Sequence, residues 1–202
     1  MKHRAITGFI VLVTVVGSWQ FGQGAWIYVK AQVAQYLLQQ AWAQTVDGDH
    51  HVNPWPWADT WPVARLQAPS HRQTLIVLSG ANNRTLAFGP ALVNEALHKN
   101  ASGTIVISGH RDTHFRFLRR LRKGDALIFE QVEPTHRHYR VDDVQIIDSR
   151  TTSIINDPER DQLVLVTCYP FDAMVPGGPL RYVVIAEKEL WRSVPLVRSI
   201  TY

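Results

Sequence analysis

The longest apolar stretch of the chain lies at its N-terminus. Between Arg4 and Lys30 run 25 uncharged residues, and the part from Ala5 to Trp19 is strongly apolar. About 20 apolar residues in a helix cover the hydrocarbon core of a bilayer. The pattern therefore predicts a membrane-spanning helix, although the polar patch SWQFGQG at 18–24 also fits a signal peptide with a short apolar region.

We expect residues 1–30 to remain as an uncleaved membrane anchor. The region lacks a convincing A-x-A cleavage site, and Trp19, Trp26 and Tyr28 are placed to form an aromatic belt at the membrane interface. Basic residues next to a span favour the cytoplasmic side, and two of them precede this one. The N-terminus is therefore expected in the cytoplasm and the rest of the chain outside it.

Two segments separate the anchor from the main domain. Residues 31–46 are rich in Ala, Gln and Leu and predict a helix, which either rises from the membrane, lies on its surface or packs on the domain. Residues 47–66 contain three prolines and three tryptophans, which disfavour regular structure. We interpret this second segment as a rigid lead-in whose indoles pack on the domain.

From residue 67 to residue 190 the chain alternates short β-like runs with turn residues. Two segments, 90–100 and 114–122, are helical candidates, and the tail at 191–202 has no clear pattern. Regularly spaced short strands with few helices are typical of an antiparallel sandwich or barrel. The predicted strands are TLIVL at 74–78, TIVIS at 104–108, DALIFEQ at 125–131, HYRVDDVQII at 138–147, QLVLVT at 162–167 and LRYVVIAE at 180–187.

Length and charge narrow the class of protein further. With 202 residues, 46% of them hydrophobic, the chain suffices for one well-filled core rather than two. The formal net charge of +4 suggests an anionic partner, but three basic residues and no acidic ones precede Asp47. The remaining 18 basic and 17 acidic residues leave the main domain nearly neutral, so we expect no nucleic-acid partner.

Cys168 is the single cysteine of the chain, and it ends an apolar β-like run. A lone cysteine cannot form an internal disulfide. Outside the cytoplasm it is therefore either a small buried hydrophobe or a free reactive thiol. For an exported chain we favour the reactive thiol.

Two more polar residues stand at the ends of predicted strands. His110 follows TIVISG, and Arg181 lies at the start of LRYVV. A thiol beside an imidazole can attack a carbonyl, because the imidazolium stabilises the thiolate and later protonates the leaving amine. A guanidinium adds donors that hold a peptide carbonyl or a developing oxyanion. Each residue alone is more often structural, but with Cys168 they predict a nucleophile, an acid and an electrostatic clamp.

The succession SGHRD, GDALIFE, LVLVTCYP and LRYVV resembles a sortase, a membrane-anchored cysteine transpeptidase, over about residues 70–188. The resemblance implies a mainly β fold, a closed eight-stranded barrel with short helices. It also matches His110, Cys168 and Arg181 to the catalytic positions of the family. The implied partner is an exported protein with a C-terminal LPxTG-like sorting signal, which is cleaved through a Cys168 thioester and transferred to an amine acceptor of unknown identity.

The lead-in PWPWADTWPVARL and the segment GANNRTLAFGP are similar further to the sortases of Gram-negative bacteria. That similarity implies an anchor in the bacterial inner membrane and a catalytic domain in the periplasm. Sortases that bind calcium use several loop carboxylates, whereas Glu95 stands alone between Gly89 and Gly103. We therefore expect no metal and no cofactor.

Two further residues near the predicted site each have two interpretations. Thr167 precedes the thiol and is either a substrate-binding residue that supports the oxyanion through its hydroxyl or simply a β-branched strand residue. Asp112 either orients His110 or serves as a turn residue or helix cap.

Two other functions remain open on the residues alone. A thiol hydrolase on the same scaffold would resolve the thioester with water, since the outcome depends on whether the site admits an amine and excludes water. A non-catalytic, membrane-tethered barrel that binds or assembles envelope proteins would instead keep Cys168 buried and unreactive.

Overall fold

The computed structural model describes residues 2–49, 51–93, 103–132, 136–154, 157, 159–175 and 177–189. Within these residues, two α-helices and two 3₁₀ helices accompany eight strands. The helices are α1 Lys2–Val46, α2 Asn83–Phe88 and the 3₁₀ helices Pro69–His71 and Arg116–Arg120. The strands are β1 Pro62–Ala68, β2 Gln73–Leu78, β3 Ala91–Leu92, β4 Ile105–Ser108, β5 Ala126–Gln131, β6 His136–Asp148, β7 Gln162–Cys168 and β8 Leu180–Lys188.

The eight strands close into a barrel, which confirms the fold class expected from the sequence. Their order around the barrel is β1-β2-β3-β4-β7-β8-β6-β5, and β1 pairs with β5 to complete the ring. β2 pairs with β3, and β4 with β7, in parallel, whereas the other neighbours are antiparallel. The parallel pairs depart from the antiparallel pattern predicted above, because long connections let the chain return alongside an earlier strand in the same direction.

The interior of the barrel is the main hydrophobic core. β1 alternates between buried and partly exposed positions along its whole length, as expected for a strand with one face inward. β7 differs, because all residues from Leu163 to Thr167 are buried. Its inner side belongs to the core, whereas Val164 and Val166 pack on the outer side with Val106 and Ile154. The wall formed by β4 and β7 is therefore apolar on both faces.

Helix α1 continues through the boundary predicted at residue 30. Its part Ile6–Val46, 41 residues, is long and apolar enough to cross a membrane, by length and composition. At 1.5 Å per residue this part is about 60 Å long, roughly twice the hydrocarbon thickness of a bilayer. A membrane-spanning segment would therefore use only about half of this length.

The C-terminal turns of α1 pack on the barrel. Leu38 and Trp42 are buried in a cluster with Ile76 of β2. The side-chain amide of Gln35 donates to the carbonyl of Phe88 at 2.7 Å. Of the alternatives considered for 31–46, the structure has the helix packed on the domain and continuous with the apolar segment.

The lead-in packs on the domain only in part. The rings of Trp55 and Phe88 lie 4.8 Å apart, and those of Trp61 and His51 lie 4.7 Å apart. Trp57 is 83% exposed, so the prediction that the indoles pack on the domain is wrong for this residue.

Two strands and three helices differ from the sequence pattern. β1 begins at Pro62, inside the segment predicted to lack regular structure, because proline is tolerated as the first residue of a strand. β3 has two residues, too few for periodicity, and lies where the helix at 90–100 was predicted; residues 94–100 are outside the described part. The helix predicted at 114–122 is a 3₁₀ helix of five residues. α2 and the 3₁₀ helix Pro69–His71 were not predicted.

Candidate active site

The parallel pairing of β4 with β7 brings the predicted histidine and cysteine to one end of the barrel. Ser108 lies opposite Val166, and the amide of Gly109 donates to the carbonyl of Val166 at 3.1 Å. His110 lies two residues after Ser108 and Cys168 lies two residues after Val166, so both residues stand at the same end of this strand pair. His110 is exposed and Cys168 is half-buried, so both are open to a substrate.

Arg181 joins them through the antiparallel pairing of β7 with β8. Cys168 and Arg181 lie directly opposite each other, and facing residues in such a pair project to the same side of the sheet. Nη1 of Arg181 donates to the carbonyls of Gly178 at 2.6 Å and Leu180 at 2.9 Å. The three residues predicted from the sequence thus lie at the same end of the barrel, with Cys168 and Arg181 as direct cross-strand partners.

A side-chain hydrogen bond ties β7 to the segment that carries His110. Thr167 is 2% exposed, and its Oγ1 donates to the carbonyl of Gly109 at 2.7 Å. Because adjacent residues of a strand face opposite sides, the Thr167 side chain points away from the side of Cys168. This geometry favours a role in bracing the two strand ends over the oxyanion role considered from the sequence.

Gly109 is required by the close approach of an aromatic ring. A Cβ at this position would stand 2.7 Å from Cδ2 of Phe115, which is fully buried. The amide of Phe115 donates to the carbonyl of His110 at 3.0 Å. The ring and this hydrogen bond together fix the turn in which the chain leaves β4, and with it the position of His110.

An apolar groove lies on the outer face of the wall formed by β4, β7 and β8. Its volume is about 390 Å³. Valines and isoleucines supply the apolar lining, and serine and threonine hydroxyls supply polar groups beside it. The lining residues are Val93, Val106, Ser108, Ile147, Ser149, Thr152, Ser153, Ile154, Val166 and Arg181. Because Arg181 is also the cross-strand partner of Cys168, the groove borders the strand end that carries the thiol.

Arg111 and Asp112 form an ion pair directly after His110. Nε of Arg111 lies 3.0 Å from Oδ1 of Asp112, and Nη2 lies 3.3 Å from Oδ2. This hydrogen bonding holds the pKa of Asp112 below its usual range. Both carboxylate oxygens accept from Arg111, so the structure gives Asp112 a partner other than the histidine considered from the sequence.

His114 is a second histidine near His110 that the sequence reasoning missed. Burial, and then the charge of His110, lowers the pKa of His114. Nδ1 of His114 lies 3.2 Å from Oγ1 of Thr113. A lowered pKa keeps this side chain neutral near pH 7. The turn after β4 folds the chain back, so proximity to His110 could not be read from a predicted helix.

Metal binding depends on clusters of side chains that can act as ligands. The described ranges contain no group of three or more His, Cys, Asp or Glu side chains that could hold a metal ion. Glu95, on which the doubt about calcium rested, lies outside those ranges. The expectation of no metal and no cofactor stays a prediction.

Comparison with known proteins assigns the chain to a family. The model of the sortase domain matches residues 66–189, and the chain belongs to the sortase family. Sortase D of Bacillus subtilis (strain 168) is 34% identical over 126 residues, which are 61% of this chain. Those residues are 62% of Sortase D, so the chain spans less than two thirds of that relative. Bacillus subtilis is a Gram-positive bacterium, and the similarity to Gram-negative sortases is not confirmed.

Solved structures show the same fold. Sortase C-1 of Actinomyces oris has a TM-score of 0.56 and 28% identity, covering 64% of this chain and 73% of its own. Sortase A of Listeria monocytogenes has a TM-score of 0.55 and 23% identity, and the match covers 64% of this chain and 88% of that sortase. The Sortase D5 transpeptidase of Clostridium perfringens has a TM-score of 0.56 at 16% identity, and the match covers 75% of this chain and 89% of that protein.

Proposed function

We propose that this protein is a membrane-anchored cysteine transpeptidase that cleaves an LPxTG-like sorting motif in an exported protein. The observation that carries the proposal is the strand register that sets His110, Cys168 and Arg181 at one end of an apolar groove. Membership of the sortase family supports the same class of reaction.

Cys168 is the nucleophile in this proposal. Its thiolate attacks a backbone carbonyl carbon of the motif, and the guanidinium of Arg181 stabilises the oxyanion that forms. As the oxyanion collapses, the C–N bond breaks, and the imidazolium of His110 gives its proton to the leaving amine. A second amine then attacks the thioester and loses a proton to the neutral imidazole. The C–S bond breaks, the thiolate is regenerated, and the peptide is joined to the acceptor.

The groove lining supports an extended peptide with apolar side chains as the first substrate. Val106, Val166 and Ile154 offer surface to leucine and proline side chains, and the neighbouring hydroxyls offer partners for peptide backbone groups. A volume of about 390 Å³ lies at the small end of ligand sites, enough for a few side chains. The guanidinium of Arg181 can hold a peptide carbonyl next to the thiol.

Replacing Cys168 with Ala tests the proposal directly. We expect the variant to lose all cleavage of fluorogenic Leu-Pro-x-Thr-Gly peptides, because no other thiol is present to form a thioester. The fold should persist, since alanine at a half-buried strand end leaves a small space. Circular dichroism provides the control for folding. Undiminished cleavage by Cys168→Ala would refute the proposal.

Product analysis separates transfer from the alternatives. With motif peptide and a series of amines, the transferred fraction should rise with amine concentration, because amine and water compete for the thioester. A product ratio that does not respond to the amine would indicate a thiol hydrolase. A barrel that only binds envelope proteins would protect its thiol from alkylation; the partial exposure of Cys168 supports a reactive thiol instead.

We also propose that α1 is an uncleaved anchor in the bacterial inner membrane, with the barrel in the periplasm. The continuity of α1 into turns that pack on the barrel supports this location. The native protein should stay in the membrane fraction after carbonate washing, and protease added from the periplasmic side should reach residues 47–202. A soluble mature form that begins near residue 25 would contradict it.

A further inference from the structure

Arg111 is a buried cation that has no role in the proposed reaction as described above. Its side chain is 6% exposed. A buried guanidinium is costly unless hydrogen bonds and an opposite charge compensate it. Its surroundings therefore show what this residue holds in place.

The guanidinium connects the segment after β4 with the segment after β7. Nη1 donates to the carbonyl of Pro170 at 2.6 Å, and Nη2 donates to the carbonyl of Ala173 at 3.1 Å. Both acceptors follow Cys168 within five residues, whereas Arg111 itself follows His110. One planar side chain thus spans the two segments that carry the proposed acid and the proposed nucleophile.

Asp112 fixes the orientation of this guanidinium. It accepts from Nε and Nη2, and its own side chain is 69% exposed. The hydrogen bond to Asp112 raises the pKa of Arg111, with Cys168 and Asp172 adding to the effect. Arg111 therefore stays positively charged, and its guanidinium is held against the carbonyl that lies two residues after Cys168.

We propose that Arg111 is a positioning residue for the transfer reaction, which braces the Cys168 segment against the His110 segment and adds a fixed positive charge beside the thiol. This inference rests on the proposed function for its kinetic consequence. It makes two separable claims, since the brace requires the forked donors of arginine and the charge requires only a cation.

Three full-length variants separate the claims. Arg111→Met keeps an unbranched chain without charge or donors, and Arg111→Lys keeps the charge without the fork. Arg140→Met is the matched control, because Arg140 also donates to a carboxylate, Glu189, and to a backbone carbonyl, that of Gly124. Arg140 lies in β6 opposite Glu187, at the other end of β8 from Arg181.

The charge is measured without any peptide, as the ratio of Cys168 alkylation rates with iodoacetate and iodoacetamide. The anionic reagent responds to nearby positive charge, whereas a purely structural change alters both rates together. We expect the ratio to fall about two- to threefold in Arg111→Met, as for one unit charge several ångströms away in water. It should stay at the wild-type value in Arg111→Lys and Arg140→Met.

The brace is measured with the Leu-Pro-x-Thr-Gly peptides. We expect kcat to fall about 10- to 100-fold in both Arg111 variants, because small displacements of reacting groups are costly, while KM changes little. An unchanged alkylation ratio in Arg111→Met would refute the claim that Arg111 supplies positive charge to the thiol. A wild-type kcat in Arg111→Lys would refute the claim that the forked donors of Arg111 brace the two segments. If Arg111→Met does not fold, Arg111→Gln, which is neutral but keeps a donor, replaces it in the alkylation test. A wild-type protein that cleaves no peptide would refute the proposed function and leave the alkylation result intact.

Discussion

The two ends of the barrel both carry concentrated charge, but they neutralise it differently. At the end remote from Cys168, Asp161 forms an ion pair with Lys188, and Arg140 forms one with Glu189. At the end with the thiol, Arg181 donates to two backbone carbonyls, and the nearby carboxylate of Asp148 forms its ion pair with Arg150 instead. In the part of the chain that the structure describes, these basic side chains of the remote end are paired with carboxylates. Arg181 at the thiol end instead donates to backbone carbonyls and keeps its charge for an incoming group.

The same contrast appears along the pair formed by β4 and β7. Thr104 precedes β4 at the remote end, and its Oγ1 lies 3.3 Å from the carbonyl of Asp157. Thr167 lies at the thiol end and donates to Gly109 at 2.7 Å. Both threonines are 2% exposed. One therefore fastens a loop to the barrel, and the other fastens the two segments of the proposed site to each other.

The largest expected difference between the two ends comes from replacing one arginine at each end, Arg181 and Arg140, with lysine. Arg181→Lys should fold normally, because the lysine stem can pack on the same neighbours. It should lose about 10²–10³ in turnover, because a lysine ammonium cannot offer the planar fork to an oxyanion and is strongly hydrated. Cys168 should still react with small alkylating agents. Turnover of the Leu-Pro-x-Thr-Gly peptides is the measurement.

Arg140→Lys is the control at the remote end. Its ion pair with Glu189 is partly exposed, so either cation suffices there and turnover should equal that of the wild type. Near-wild-type turnover in Arg181→Lys would remove Arg181 from the proposed catalytic set. The comparison of the two ends would then lose its functional meaning, and Cys168 and His110 would have to act as a dyad.

The strands that carry the site were predictable because their sequences are strongly patterned. One apolar run ends two residues before His110, a second ends at Cys168, and a third begins next to Arg181, so each reactive group lies at or near a strand end. The register between the strands was not predictable from periodicity, since β4 pairs with β7 across a long intervening segment. From the sequence, only the family resemblance grouped His110, Cys168 and Arg181 into one site; the hydrophobic pattern did not.

The supporting residues were not predictable for a different reason. Arg111 contacts the carbonyls of Pro170 and Ala173, and any residue type offers a backbone carbonyl. Gly109 is fixed by the ring of Phe115, a contact that depends on how the turn after β4 folds back. Tertiary contacts of this kind leave no spacing signal in a single sequence. β3 was missed because a strand of two residues has no period.

The smallest expected effect concerns the two threonines, where the same substitution tests both ends of one strand pair. Thr167→Val and Thr104→Val each keep a β-branched side chain of similar size. Each removes a hydroxyl donor, from the buried carbonyl of Gly109 in the first case and from the part-buried carbonyl of Asp157 in the second. Thr167→Val should cost about 1–3 kcal/mol of folding free energy, measured by urea unfolding, because the carbonyl of Gly109 loses its side-chain donor. Thr104→Val should cost less, because the carbonyl of Asp157 still accepts from the backbone amides of Thr104 at 3.0 Å and Arg160 at 3.4 Å. The cost should be larger at Thr167, whose hydrogen bond is shorter.

Peptide turnover, measured under conditions where both variants are folded, distinguishes the two positions. Thr167→Val should slow peptide transfer about tenfold, because the carbonyl of Gly109 adjoins His110 and the two site segments are then less firmly held. Thr104→Val should transfer at the wild-type rate under conditions where both variants are folded. Equal slowing in both would mean that β4 and β7 transmit any loosening along their whole length. In that case the thiol end would not be an independently braced unit, since its geometry would depend on the remote end as well.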